Sequence, residues 1–274
     1  KPSAVILSER SESKGLAAAS AIELRGVSFS YGREPFIEGL SAAFLHGVVT
    51  SIVGPNGCGK STILKLLTGV LTPAAGRIAV DGEEIHGMTG HFAYMPQNDL
   101  LFPWKTILDN VCLYGRIHGT MDSARKEARE NMAAFGLAGY EDAYPSALSG
   151  GMRQRAAFLR TALCKSEILL LDEPFGALDV ITRGEMQDWL LSMREKMNRT
   201  VVLVTHDMDE AIYLSDRILI LGGRPSRVVC QLTPETPAEG RSRDWLYGQG
   251  ELRRRIHREI MGDGDARERE SSAG

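Results

Sequence analysis

The 274-residue chain is 43% hydrophobic and 24% charged, a composition of a soluble globular protein with one large α/β domain or two small ones. Its formal net charge of -3 argues against a general nucleic-acid binder, and no apolar run approaches the ~18 residues needed to cross a bilayer. Four scattered cysteines, Cys58, Cys112, Cys164 and Cys230, lack the spacing of a zinc site or a disulfide framework and read as reduced thiols of a cytosolic protein.

In chain order, residues 1–20 are rich in Ser, Ala, Glu and Lys, show no sustained period, and are expected to form a flexible tail. Ile22–Ser30 alternates roughly apolar and polar, predicting a half-buried strand. Val48–Val53 is a short β-branched run ending at a glycine-rich loop. Ser61–Thr68 continues with helically spaced Ile63, Leu64, Leu66 and Leu67. Gly76–Val80 reads as a strand entering a turn at Asp81-Gly82. Leu108–His118, Ser123–Phe135 and Gly150–Leu163 read as helices. Glu167–Leu171, Val201–Thr205 and Arg217–Leu221 are near-continuous apolar runs, the mark of strands covered on both faces. Helices between such strands predict a mostly parallel α/β sheet. Thr233–Gly240 reads as a linker, followed by a basic helix with one apolar stripe, Leu252, Ile256 and Ile260. That helix either docks on its own domain or meets a membrane surface or regulator.

The chemistry lies in five motifs. Gly54-Pro55-Asn56-Gly57-Cys58-Gly59-Lys60-Ser61 fits G-x-x-x-x-G-K-S between a predicted strand and a predicted helix, the context of a phosphate loop. Its glycines let backbone N–H groups converge on phosphate oxygens, and the helix N-terminus favours the same anion. Lys60 is expected to reach the β- and γ-phosphates, and the Ser61 hydroxyl to ligate Mg²⁺. Ile168–Pro174 is an apolar strand ending in two acids, which are unfavourable there without partners. Asp172 is placed to hold Mg²⁺ through its water shell, and Glu173 to orient an attacking water. His206 follows another apolar strand, where it is either structural or a hydrogen-bond partner of the γ-phosphate or the attacking water. Gln97, without the other motifs, reads as a surface loop residue. Tyr31 either stacks on adenine or packs at a strand edge. Leu148-Ser149-Gly150-Gly151 opens a helix, a second anion-binding terminus. Two phosphate-binding ends and one metal site in a single chain suggest two chains completing each other's sites.

Together these residues resemble the ATP-binding subunits of ABC transporters, over about Ile22–Val228. The resemblance implies a P-loop NTPase with a RecA-like, mostly parallel sheet core, a small antiparallel β subdomain and an inserted helical subdomain at about 98–165. The ATPase domain would span 21–232, with a linker and C-terminal helix over 233–274. It implies ATP sandwiched in a head-to-tail dimer. Gly54–Thr62, including Pro55, Asn56, Cys58 and Thr62, looks like the Walker A loop. Gln97 looks like the Q-loop glutamine, catalytic and metal-facing. Leu148–Met152 resembles the signature motif, with Ser149, Gly150 and Gly151 on nucleotide. Ile168–Asp172 matches the Walker B strand, Glu173 the catalytic glutamate, Ala177-Leu178-Asp179 the D-loop, His206 the switch histidine and Tyr31 the adenine-stacking aromatic. Met152 stands where the family often has Gln.

The stretch from Leu100 to Val111, LSGGMRQR at Leu148–Arg155, THDMDEAIYLSDRILI at Thr205–Ile220 and Gly223–Val228 resemble the nitrate/sulfonate/taurine importers. That resemblance implies a peripheral ATPase on the cytoplasmic membrane face, working as a homodimer or with a related subunit. Its partners would be membrane permease subunits, with a solute-binding protein engaged indirectly. Nitrate, taurine, an alkanesulfonate and a thiamine-precursor pyrimidine all stay open as cargo. Phe102, Pro103 and Trp104 either meet the permease or pack within the helical subdomain. A soluble ABC ATPase acting on nucleic acid or ribosomes usually has a coiled-coil insertion or a second cassette, and neither is present. A P-loop kinase or GTPase leaves Leu148–Gly151 unexplained.

Overall fold

The computed structural model describes residues 20–197, 199–237 and 240–271; apart from Ser20, the expected N-terminal tail lies outside them. In chain order the elements are β1 (Ser20–Phe29), β2 (Ile37–Leu45), β3 (Val49–Val53), α1 (Lys60–Leu67), β4 (Ala75–Val80), β5 (Glu83–Glu84) and β6 (Phe92–Met95). Then come α2 (Ile107–Val111), α3 (Leu113–Ile117), α4 (Met121–Met132), a 3₁₀ turn at Pro145–Ala147, α5 (Gly150–Ala162), β7 (Ile168–Asp172) and α6 (Val180–Met197). The chain finishes with β8 (Thr200–Val204), α7 (Met208–Leu214), β9 (Arg217–Gly222), β10 (Arg227–Leu232), α8 (Arg243–Tyr247) and α9 (Gly250–Ser271).

Two compact units result. The first joins residues before 90 to those after 197, and the second is Gly90–Met197. In the first unit, β3 lies between β8 and β9 and pairs parallel with both, Thr50 facing Val202 on one side and Arg217 on the other. Every residue of β3, β8 and β9 is buried. That accounts for the unbroken apolar runs, because a strand covered on both faces has no solvent side for polar residues. β10 adds to β9 antiparallel, so the mostly parallel sheet carries an antiparallel edge. A separate antiparallel sheet, in the order β2-β1-β4-β5, forms the small β layer.

β1 departs from simple alternation. Ser20–Leu24 are all buried, and only Arg25 and Gly26 are exposed. The strand lies between β2 and β4, and the buried Glu23 carboxylate is tied to the Arg25 guanidinium.

In the second unit, β6 and β7 pair in parallel, Phe92 facing Ile168 and Met95 facing Leu171. Phe135, Phe158, Phe175 and Trp189 meet edge to face and knit helices to the strand end. The single helix expected over 108–118 is two, broken at Cys112, whose backbone (φ -83°, ψ 12°) leaves the helical region. Fully buried Asn110 accounts for the geometry ahead of the break. Its amide donates to the carbonyls of Phe102, Lys105 and Thr106, and its oxygen accepts from Phe102 N–H at 2.7 Å.

Candidate functional site

The first unit carries the phosphate loop. β3 delivers the chain to Gly54, and α1 begins at Lys60 behind Gly59, which caps it in the left-handed region at φ 100°. Gly57 is also left-handed, at φ 74°, so both positions favour glycine and let successive N–H groups face one concavity. Lys60 is buried, and its Nζ donates to the carbonyls of Gly54 at 2.9 Å and Pro55 at 3.0 Å. Cys58 is buried too, and burial raises its thiol pKa against the pull of Lys60, so this position keeps a neutral side chain. A Cβ on Gly54 would stand 2.5 Å from the carbonyl oxygen of Leu221 on β9. Because that atom is backbone, Gly54→Ala is expected to lower stability by about 2–3 kcal/mol. Thermal melting of the purified variant checks this.

Below the loop lies the turn between β9 and β10. Ser226, buried, donates its hydroxyl to the Cys58 carbonyl, and Arg224 donates to the Gly57 carbonyl at 3.4 Å. In the sequence, Gly223–Ser226 carried only a subfamily likeness; its support of the phosphate loop was not legible, since 167 residues separate Gly57 from Arg224. Beside the loop, Tyr31 is 61% exposed and meets Phe29 and Phe36 edge to face at 4.8 and 5.3 Å. Its hydroxyl lies 3.0 Å from Thr62 Oγ1 on α1. The ring is thus fixed next to the phosphate helix with much of its surface open.

His206 is exposed in the link from β8 to α7. Its neighbours are tightly held. Asp207 N–H donates to Thr205 Oγ1 at 3.0 Å, the Thr205 hydroxyl donates to buried Glu210 at 2.6 Å, and Asp207 Oδ1 caps α7 by accepting from Asp209 N–H.

The second unit holds the acids. β7 ends in Asp172, 2% exposed, and burial together with this carboxylate, which accepts the Tyr94 hydroxyl, raises the Tyr94 pKa. The next residue, Glu173, is half-exposed at φ 49°, a conformation unfavourable for a side-chain-bearing residue unless its surroundings enforce it. Gln97, at the end of β6, donates from Nε2 to Glu173 Oε2 at 3.0 Å. Gln154 on α5, nearly buried, donates to the Pro174 carbonyl at 3.3 Å and approaches the Glu173 carbonyl at 3.5 Å. Sequence reasoning missed Gln154 and the Tyr94 contact; a glutamine two residues past a signature motif gives no sign of its target. Gln154→Leu leaves a buried carbonyl without its donor and is expected to cost about 1–3 kcal/mol, read from denaturant midpoints.

α5 opens on Ser149, whose Oγ accepts from Met152 N–H at 3.3 Å, with Gly150 and Gly151 exposed or half-exposed in its first turn. Asp179 caps α6 by accepting from Ile181 and Thr182 N–H, both at 3.1 Å, and the Thr182 bonds hold its carboxyl below the usual range. The structure therefore brings Gln97, Glu173 and Gln154 together, and Tyr94 with Asp172. It groups Tyr31, Thr62 and Lys60 around the phosphate loop. Each unit taken by itself carries oxygen donors of the kind Mg²⁺ takes, the Ser61 hydroxyl in the first, and the Gln97 amide oxygen and the Asp172 carboxylate in the second. No helix among the described residues is long and apolar enough to cross a membrane.

A family model described as ABC transporter matches residues 37–176. The chain is 47% identical over 204 residues to a formylaminopyrimidine import ATP-binding protein of Halalkalibacterium halodurans, covering 73% of this chain and 78% of that one. It is 40% identical over 213 residues to an aliphatic sulfonates import ATP-binding protein of Agrobacterium fabrum, covering 78% and 80%. Among solved structures it is similar to a dimeric ATP-binding cassette in a post-hydrolysis state bound to ADP and Pi. The TM-score is 0.70 at 26% identity, with 79% of this chain and 100% of that chain covered.

Proposed function

Because this chain belongs to the ABC transporter family, we infer that it is the ATP-hydrolysing subunit of an importer. It couples Mg-ATP binding and hydrolysis at a head-to-tail dimer interface to uptake of a small anionic solute such as nitrate, taurine or an alkanesulfonate. The observation that carries the reading is the presence in one chain of two prepared helix starts, the glycine loop before Lys60 and the Ser149 cap before Gly150. One chain with two such ends and one pair of strand-end acids suits a symmetric pair in which each copy completes the other's site.

Gly54–Thr62 binds the β- and γ-phosphates through backbone N–H groups and Lys60, and Tyr31 stacks on adenine. Ser149, Gly150 and Gly151 of the second copy hold the γ-phosphate, with Asp179 at the same interface. Ser61, Gln97 and Asp172 would hold Mg²⁺, which would supply positive charge against the phosphates. Glu173 accepts a hydrogen bond from the attacking water and directs its oxygen in line with the bond to the leaving ADP. Gln97 steadies the Glu173 carboxylate, and His206 donates to the γ-phosphate or the water.

The domain reading is 21–232 for the ATPase, with 98–165 as an inserted helical subdomain and 233–274 as linker and C-terminal helix. Trp104, 69% exposed beside Phe102, suits a permease contact on the cytoplasmic membrane face. A formylaminopyrimidine cargo is the second reading, favoured by the 47% relative. Purification from gently solubilised membranes, followed by mass spectrometry, tests the assignment. A stoichiometric permease is expected, and its paired solute-binding protein, titrated with taurine, alkanesulfonates, nitrate and pyrimidines, identifies the solute. Recovery with ribosomal or DNA-bound proteins and no permease would overturn the importer reading.

A further inference from the structure

The phosphate chemistry makes no use of the chain after β10, yet that segment grips α7, the helix that follows His206. α7 is seven residues long, about 10 Å, too short to be stable alone, so its position depends on what holds its ends. At the N-terminal turn, Arg253 of α9 donates from Nε and Nη2 to Asp209 Oδ1, both at 2.6 Å. Asp209 N–H in turn donates to Asp207, the cap next to His206. At the other end, Arg241 donates to the Tyr213 carbonyl at 3.0 Å, and the Arg243 guanidinium lies 4.1 Å from the centroid of the Tyr213 ring. Ile256, fully buried, anchors α9, which packs on α7 and β9. The alternative of a free membrane-surface helix would leave Ile256 facing outward, and it is fully buried.

We propose that Arg253 is a positioning residue for His206: the docked C-terminal segment fixes the start of α7, and with it the place of the histidine during ATP turnover. The proposal rests on the reading of His206 given above. Arg253 and Asp209 side chains are 34% and 47% exposed, so their pair contributes little to stability, and a change in turnover on breaking it is not a folding effect.

The test uses the full chain. Arg253→Ala, Asp209→Ala, the charge swap Arg253→Asp with Asp209→Arg, and Arg253→Ala in a His206→Ala background are compared by steady-state ATP hydrolysis, with ATP affinity from a fluorescent-nucleotide titration. Each single variant is expected to lower kcat about fivefold, with ATP affinity held within about twofold, and the swap to recover most of the loss. In the His206→Ala background, Arg253→Ala should do nothing more. Unchanged kcat in Arg253→Ala, or a full further loss on top of His206→Ala, overturns the proposal while His206→Ala alone remains impaired. If His206→Ala turns over normally, the histidine's role fails and the positioning role fails with it.

Discussion

Glu173→Gln is expected to bind ATP as the parent chain does while losing turnover by about 10²–10⁴-fold, the usual contribution of a positioned proton-accepting group. The substitution keeps size and shape, and a glutamine oxygen can still accept from Gln97 Nε2, which lies 3.0 Å from the carboxylate. The backbone at φ 49° and the Gln154 bond to Pro174 are untouched, so the fold survives. What disappears is the negative charge that polarises water. With hydrolysis blocked and binding intact, the ATP-bound pair of chains should accumulate, visible as a dimer by size-exclusion chromatography with ATP. Near-normal hydrolysis by this variant sinks the role of Glu173.

Lys60→Ala should act at the earlier step. The residue is 6% exposed, and its ammonium already bonds two loop carbonyls, Gly54 and Pro55. Charge-assisted hydrogen bonds contribute about 1.5–3 kcal/mol each, so losing those to the β- and γ-phosphates is expected to weaken ATP binding by about 10²–10⁴-fold. Calorimetric titration measures this. The two loop carbonyls also lose their donor, so the melting temperature should fall in the nucleotide-free protein. The pair of variants separates binding from chemistry: Glu173→Gln spares the first, and Lys60→Ala removes it. A Lys60→Ala chain that binds ATP normally would contradict the phosphate role of the loop.

Much of the fold was legible because strands β3, β7, β8 and β9 are covered on both faces. Val201–Val204 and Ile168–Leu171 have no polar side to interrupt the apolar run, and each fits one short, fully buried strand. Periodicity served less well where tertiary contacts override it. β1 alternates in sequence but is buried through Leu24, since flanking strands and the Arg25 partner accommodate Glu23. The helix over 108–118 looks continuous, yet Asn110 spends its side chain on the loop at Phe102–Thr106 and the helix breaks two residues later.

The sequence by itself determined the phosphate loop, the strand-end acids and the signature helix start, because each depends on residue types at fixed local spacing: glycines where N–H groups must converge, acids where an apolar strand stops, Ser where a helix needs a cap. Only the tertiary structure decided what steadies them. Ser226 under Cys58, Tyr94 on Asp172, Gln154 behind Glu173 and Arg253 on Asp209 are partners separated by 19 to 168 residues. No local pattern encodes such pairs, since a hydrogen bond across the fold needs only one donor and one acceptor, and these are brought within reach by packing of the apolar core.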